Sequence, residues 1–382
     1  MRQLIAVFLL FTISQPATAA PTIARVWLSQ VSPDTQKVVI SWQTDAPGDS
    51  IVEWGVTAAL GKQVKVDESV EHHQVEVTMP VEHGTWHYRV KSGEQQSAVA
   101  EARGWDRDVL KVAIVADIGY TKSPWTDAVL RERPHLLLTA GDNVSQLHER
   151  GKLGVKDNIA PYQRLIDLAP ELFRSTLFMP VLGNHDREIR PRGPMPPPEP
   201  VYDVDATAFR KFFALPGDEW KWHHDLPAFG VRLVAVDLNH VQDHGTTWQT
   251  CHDYREDSEQ LAWYQKTMAA SEQPFVITIY NEKQSVVRGL AKGAWWPHVM
   301  KGSAAVTGFG YFAERAMVDD FPCFNTSVSG KGDRYRDPKS VFLASEDNFV
   351  LLTFTANRTG RAALKNMNGA TLDEVELKPR AK

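Results

Sequence analysis

The chain has 382 residues, 43% of them hydrophobic and 23% charged, with 24 glycines and 23 prolines. That composition excludes a disordered, collagen-like or disulfide-scaffold protein and leaves room for about two or three domains. A formal net charge of −5 gives no overall attraction to nucleic acid or anionic membrane. The two cysteines, Cys251 and Cys323, are too few for a CxxC metal framework, so any metal falls to His, Asp, Asn, Glu or Tyr.

At the N-terminus, Arg2 precedes an apolar run over residues 4–13 and the small-x-small triplet Ala17-Thr18-Ala19. This is the pattern of a cleaved signal peptide over residues 1–20. The run is shorter than the ~20 residues that cross a bilayer. The expectation is therefore a secreted or periplasmic protein, with no membrane attachment after cleavage. In such a compartment a Cys251–Cys323 disulfide is permissible, and a pair of buried free thiols is the alternative. Residues 21–104 carry strand signals alone, at 38–42, 50–54 and 86–90, separated by Gly/Pro/Asp clusters such as Asp45-Ala46-Pro47-Gly48-Asp49. Short, closely spaced strands predict a β-sandwich with its aromatic residues in the core. The run resembles a fibronectin type III module, with Trp42 as core tryptophan and Tyr88 on a late strand.

From residue 105 apolar strands alternate with helical stretches, the mark of an α/β sheet. Runs at 111–116, 135–140 and 177–182 read as buried strands. They end at Asp117, at Gly141-Asp142-Asn143 and at Gly183-Asn184-His185-Asp186. Periodicity predicts helices over 126–133 and 161–173, and an amphipathic helix over 257–269. Residues 191–200 contain six prolines and read as a surface loop.

Ligands of open α/β sheets bind beyond the C-terminal ends of the strands. Three strands here deliver carboxylates, a carboxamide and an imidazole to that edge. One Gly-Asp pair is an ordinary turn signal. Together, the segments resemble the first three motifs of the calcineurin-like metallophosphoesterases. The Asp117-Ile118-Gly119 form of the first motif, behind a strand module, is most similar to purple acid phosphatases. The resemblance spans residues 22 to about 378. It implies a double β-sandwich flanked by helices over residues 105–382, and hydrolysis of phosphate esters. By motif position it implies Asp117 as ligand of one metal, Asp142 as the bridge between two and Asn184 as ligand of the other. His185 would face the phosphate and help protonate or stabilise the leaving group. Two metals ~3.5–4 Å apart activate water and stabilise both the attacking and leaving oxygens, as a reaction this slow without catalysis requires.

The second half of the pattern is altered. The resemblance implies three more histidines. One position, after the strand at 275–280, holds Asn281; the other two, in the segment 306–315, hold Phe309 and Tyr311. The tyrosine that colours purple acid phosphatases falls at Ser145. Phenylalanine offers no lone pair, Asn281 a neutral carbonyl oxygen, and Tyr311 ligates only as a phenolate. Asp117, Asp142 and Asn184, with Asn281 and Tyr311 as weak additions, suit at most one firmly held divalent cation. Mg²⁺, Ca²⁺ or Mn²⁺ fits these donors better than a Zn or Fe pair. His240, His244 and His252 are conceivable substitutes, but their segment reads as a hydrated loop with Asp237 as its cap, and Glu282, Lys283 and Arg288 read as solvated charges. Two functions follow. One is a phosphoesterase with a reduced or rearranged metal centre, acting on a phosphate ester or other anionic small molecule. The other is an inactive family member that binds an anion, a glycan or a protein. Neither involves nucleic acid.

Overall fold

Strands appear where the apolar runs are, because both faces of each run find a layer to pack against. A computed structural model describes residues 22–119 and 121–380; the signal-peptide reading of residues 1–20 lies outside the described residues. These residues build a 12-stranded and a 7-stranded sheet. At the centre of the larger sheet, Val109–Val115, Leu136–Thr139 and Leu177–Met179 run parallel in that order. On one side the sheet continues into the antiparallel strands Asn348–Thr355, Gly360–Asn366 and Thr371–Leu377. On the other, Ile23–Ser29 joins it through a parallel pairing of Leu28 with Leu177, so the N-terminal strand region extends the same sheet.

The smaller sheet has Val231–Ala235, Phe275–Tyr280 and Ala304–Thr307 parallel at its centre. Alternation along these strands sorts the side chains into two layers. Leu233, Ile277 and Val306 face Ile114, Leu137 and Phe178 of the larger sheet in one shared core. Val234, Val276 and Ala305 face the other way, against Tyr264, Met268 and Trp295. Burial on both faces explains why these strands read as continuous apolar runs. The fold is thus a sheet-rich α/β architecture with an N-terminal strand region.

Two local expectations change, and one open alternative closes. The Asp45–Asp49 cluster ends no strand: Lys37–Gly55 is one element whose register slips between Gln43 and Gly48 and again before Ser50, a bulge that absorbs the turn-forming residues. The helix expected over 161–173 is two helices, Ala160–Leu168 and Pro170–Ser175, because the residue before a proline avoids helical geometry and Ala169 takes φ −147°. Cys251 and Cys323 are free thiols, both buried beneath the helical layer, where apolar surroundings push their ionisation upward. The helix Glu259–Ala269 starts after Ser258, whose Oγ accepts the Leu261 N–H at 3.2 Å. Residues 191–200 form the expected loop without regular structure. No described helix is long and apolar enough to cross a membrane.

Candidate metal and phosphate site

The first two motif strands end in left-handed backbone, at Asp117 (φ 60°) and Asp142 (φ 56°). Such conformations cost about 1 kcal/mol or more for residues with a Cβ, and aspartate tolerates them better than most. Glycines let the three loops crowd together. A Cβ at Gly183 would collide with the backbone nitrogen and Oδ1 of Asp142, and one at Gly308 with Ala116 and Ala140. Asp186 sews the loops into one unit: its Oδ2 accepts the Gly183 N–H at 2.8 Å and the Asn143 side-chain amide at 2.9 Å. The Tyr162 hydroxyl donates to the Asp186 carbonyl at 3.0 Å. Burial, then the charge of Asp142, raises the Asp186 carboxyl to about 7. Asp186 is fully buried and holds the scaffold rather than facing a ligand.

Asp117, Asp142, Asn184, His185, Asn281 and Tyr311, all singled out in the sequence, line one cavity of about 320 Å³. Asp117 and Asp142 are buried, and Oδ2 of Asp117 has no hydrogen-bond partner. Burial and the neighbouring Asp142 push Asp117 well above the usual carboxylate range; burial also raises Asp142, against the opposing pull of His185. Asn281 donates from Nδ2 to the Ala140 carbonyl at 2.7 Å, which fixes the amide and leaves its oxygen as the available donor atom. Two carboxylates, one with an orphaned oxygen, and two carboxamides are the oxygen donors that a hard cation takes. Among the described residues, no group of three or more His, Cys, Asp or Glu side chains is placed to hold a metal.

His185 lies within 2.6 Å of the Ser145 carbonyl and 3.0 Å of Glu188 through Nδ1. Both partners accept, so Nδ1 carries hydrogen and Nε2 is the nitrogen whose protonation varies. Burial disfavours the charged ring, but Asp142 and Glu188 outweigh it and raise His185 to about 9.

Several lining residues carried no sequence signal: Glu188, Arg192, Tyr202 and Tyr335. Arg192 leaves the proline-rich loop, pairs with Asp243 at 2.7 Å and lies 4.5 Å over the Trp248 ring. Tyr202 lines the same cavity, and burial and the charge of Glu188 push its hydroxyl up to about 12. The loop read as hydrated divides in three. His240 lines the cavity. His244 packs edge-on against Tyr254, and His252 stacks on Trp220 at 3.7 Å while bonding Asp237 at 2.7 Å. Asp237 does cap this loop, accepting the His252 N–H at 2.9 Å, and it also holds the fully buried Arg187 through two 2.8 Å contacts.

The charges expected in solvent are engaged as well. The Lys283 ammonium sits 5.1 Å from Phe309 and 4.3 Å from Tyr335, Glu282 is buried and accepts the Val241 N–H at 2.9 Å, and Arg288 pairs with Asp337 at 2.8 Å. Phe309 and Tyr311 give the cavity an aromatic side, with Phe309 packed 5.2 Å from Tyr335 and 5.4 Å from His240.

Residues 110–326 match the family model described as calcineurin-like phosphoesterase. Among solved structures, the purple acid phosphatase PPD1 from yellow lupin (Lupinus luteus) seeds superposes with a TM-score of 0.69 at 14% identity, over 94% of this chain and 75% of that one. PhoD superposes with a TM-score of 0.63 at 11% identity, over 92% of this chain and 88% of that one. These two likenesses are of fold. No curated protein sequence matches the chain. The family match covers more than half of the chain, including the three loops that end at Asp117, Asp142 and Asn184, and it places this protein in the calcineurin-like phosphoesterase family.

Proposed function

We propose that the protein hydrolyses phosphate esters at this cavity, with a reduced metal centre that holds one hard divalent cation. The observation that carries the reading is the buried, unpartnered Oδ2 of Asp117 beside Asp142, in the cavity that also contains His185. Leaving such an oxygen unpaired is unfavourable by about 1–3 kcal/mol or more unless a cation or donor meets it. Asp117, Asp142 and Asn184 would hold the ion, with the Asn281 oxygen as a weaker addition; burial and the charges of Asp117 and Asp142 push the Tyr311 hydroxyl up to about 12, which works against its ligating as a phenolate. A bound cation supplies polarisation of a phosphoryl oxygen and a more acidic water. His185 contributes the proton. The Ser145 and Glu188 contacts hold the proton on Nδ1 and orient Nε2 to protonate the departing oxygen.

The finer reading is of a secreted or periplasmic enzyme of purple acid phosphatase type, supported by the Asp-x-Gly first motif and the leader pattern of residues 1–20. Strand signals without helical ones over residues 21–104 support a fibronectin III-like module before the phosphoesterase domain of residues 105–382. An inactive anion-, glycan- or protein-binding role is the reading that catalysis must displace. The test is turnover of an aryl phosphate with Mn²⁺, Mg²⁺, Ca²⁺, Zn²⁺ or Fe supplied in turn. The proposal expects turnover with at least one, falling about 100-fold or more in Asp142→Ala. Absence of turnover with all five would overturn it.

A further inference from the structure

One corner of the cavity is built from residues outside the three motifs. Arg192 comes from the proline-rich loop, Tyr202 from just beyond it, and His240 from the loop after Val231–Ala235. The Arg192 side chain is fastened from several directions. Its Nη2 donates to Asp243 at 2.7 Å, its Nη1 lies 3.4 Å from His240 Nδ1, and its plane rests on Trp248. The Trp248 indole donates back to the Arg192 carbonyl at 2.9 Å. A guanidinium has five N–H donors in a fixed fork, so these contacts position the group without exhausting it. It remains 29% exposed and lines the cavity that holds Asp117 and Asp142.

A side chain kept only for structure has no need to present a charge to the cavity where two carboxylates gather. Burial, then Arg192, His185 and Lys283, together lower His240 to about 4. A phosphoryl group needs positive charge on more than one of its oxygens, and planar arginine meets two of them at once.

We propose that Arg192, positioned by Asp243 and Trp248, binds the phosphoryl oxygens of the substrate and stands in for the charge that a second cation would otherwise bring to this cavity. The inference rests on the phosphate-ester reading for its substrate and extends it with a recognition residue outside the family motifs. His240 stays neutral and acts as a hydrogen-bonding neighbour of the guanidinium. The phosphate oxygens accept from the arginine, and no bond is made or broken at Arg192.

The experiment is calorimetric titration of the full chain with inorganic phosphate, with Mn²⁺ and again with chelator, for the wild type, Arg192→Gln and Arg192→Lys. Phosphate affinity falls about tenfold or more in Arg192→Gln under both conditions, and less in Arg192→Lys, which keeps charge but loses the fork. Mn²⁺ affinity is unchanged in both variants. Phosphate affinity equal to wild type in Arg192→Gln would overturn the proposal, as would a wild type that takes up no phosphate. Should Arg192→Gln fail to fold, modification of the wild type by phenylglyoxal decides. Phosphate protects Arg192 if the inference holds, and equal modification with and without phosphate overturns it. Aryl phosphate turnover separates the two readings. Weakened phosphate binding in a protein without turnover would keep Arg192 and remove the hydrolase. Turnover with unchanged binding in Arg192→Gln would do the reverse.

Discussion

At His185 burial and charge pull in opposite directions, and the carboxylates win. The ring loses solvation in the cavity wall, yet Asp142 and Glu188 hold it protonated to about 9, while Ser145 and Glu188 occupy Nδ1. If that proton goes to the leaving oxygen, its value depends on how badly the leaving group needs it. His185→Gln therefore lowers kcat for an alkyl phosphate by about 100-fold or more, and much less for p-nitrophenyl phosphate, whose leaving group departs unprotonated. Equal losses on both substrates would assign His185 to binding instead. Asn281 shows the opposite situation. Its amide is committed to Ala140 and packs where a Cβ on Gly141 would stand, so its oxygen is a rigid but neutral donor.

Between elements, the Arg187–Asp237 pair ties the short 3-10 turn His185–Arg187 to the end of the strand Val231–Ala235, and so ties one sheet to the other. Both side chains are fully buried. Removing one partner leaves an isolated charge, so Arg187→Met or Asp237→Asn destabilises the fold by about 3–5 kcal/mol in urea unfolding. A change below about 1 kcal/mol would mean that the loop is held by other contacts. The acid dependence follows from the depressed carboxyl. Burial opposes the charge of Asp237, but Arg187 and His252 bring it to about 2, below an unfolded value of about 3.9. Its contribution is complete above that unfolded value and is lost as pH falls towards 2, so the gap between wild type and Asp237→Asn closes over that interval.

None of this pairing was legible in the sequence, where Arg187 was unmarked and Asp237 read only as a loop cap. Residues that follow a strand with a glycine beside them were legible, because strand ends and turn chemistry are local. Arg192, Tyr202 and Tyr335 were not, since they reach the cavity by tertiary packing from irregular segments. The bulge at residues 43–48 was hidden for a related reason: turn-forming residues inside a long paired strand look like its end.

At the scale of the molecule, the two sheets contribute unlike halves of one cavity. The larger sheet brings Asp117, Asp142, Asn184 and His185, and the smaller brings Asn281, Phe309, Tyr311 and His240. Oxygen donors gather on the first side, while a carboxamide, aromatic rings and one imidazole face them from the second. A fold shared at 14% and 11% identity with PPD1 and PhoD leaves such side chains undetermined, so the chemistry must be argued from the cavity itself. The central claim is that this asymmetry leaves room for one cation where a symmetric donor set would hold two. Native mass spectrometry of the purified chain titrated with Mn²⁺ tests it directly. The account predicts a single tightly held ion per chain, lost in Asp142→Ala; two ions bound with comparable affinity would contradict it.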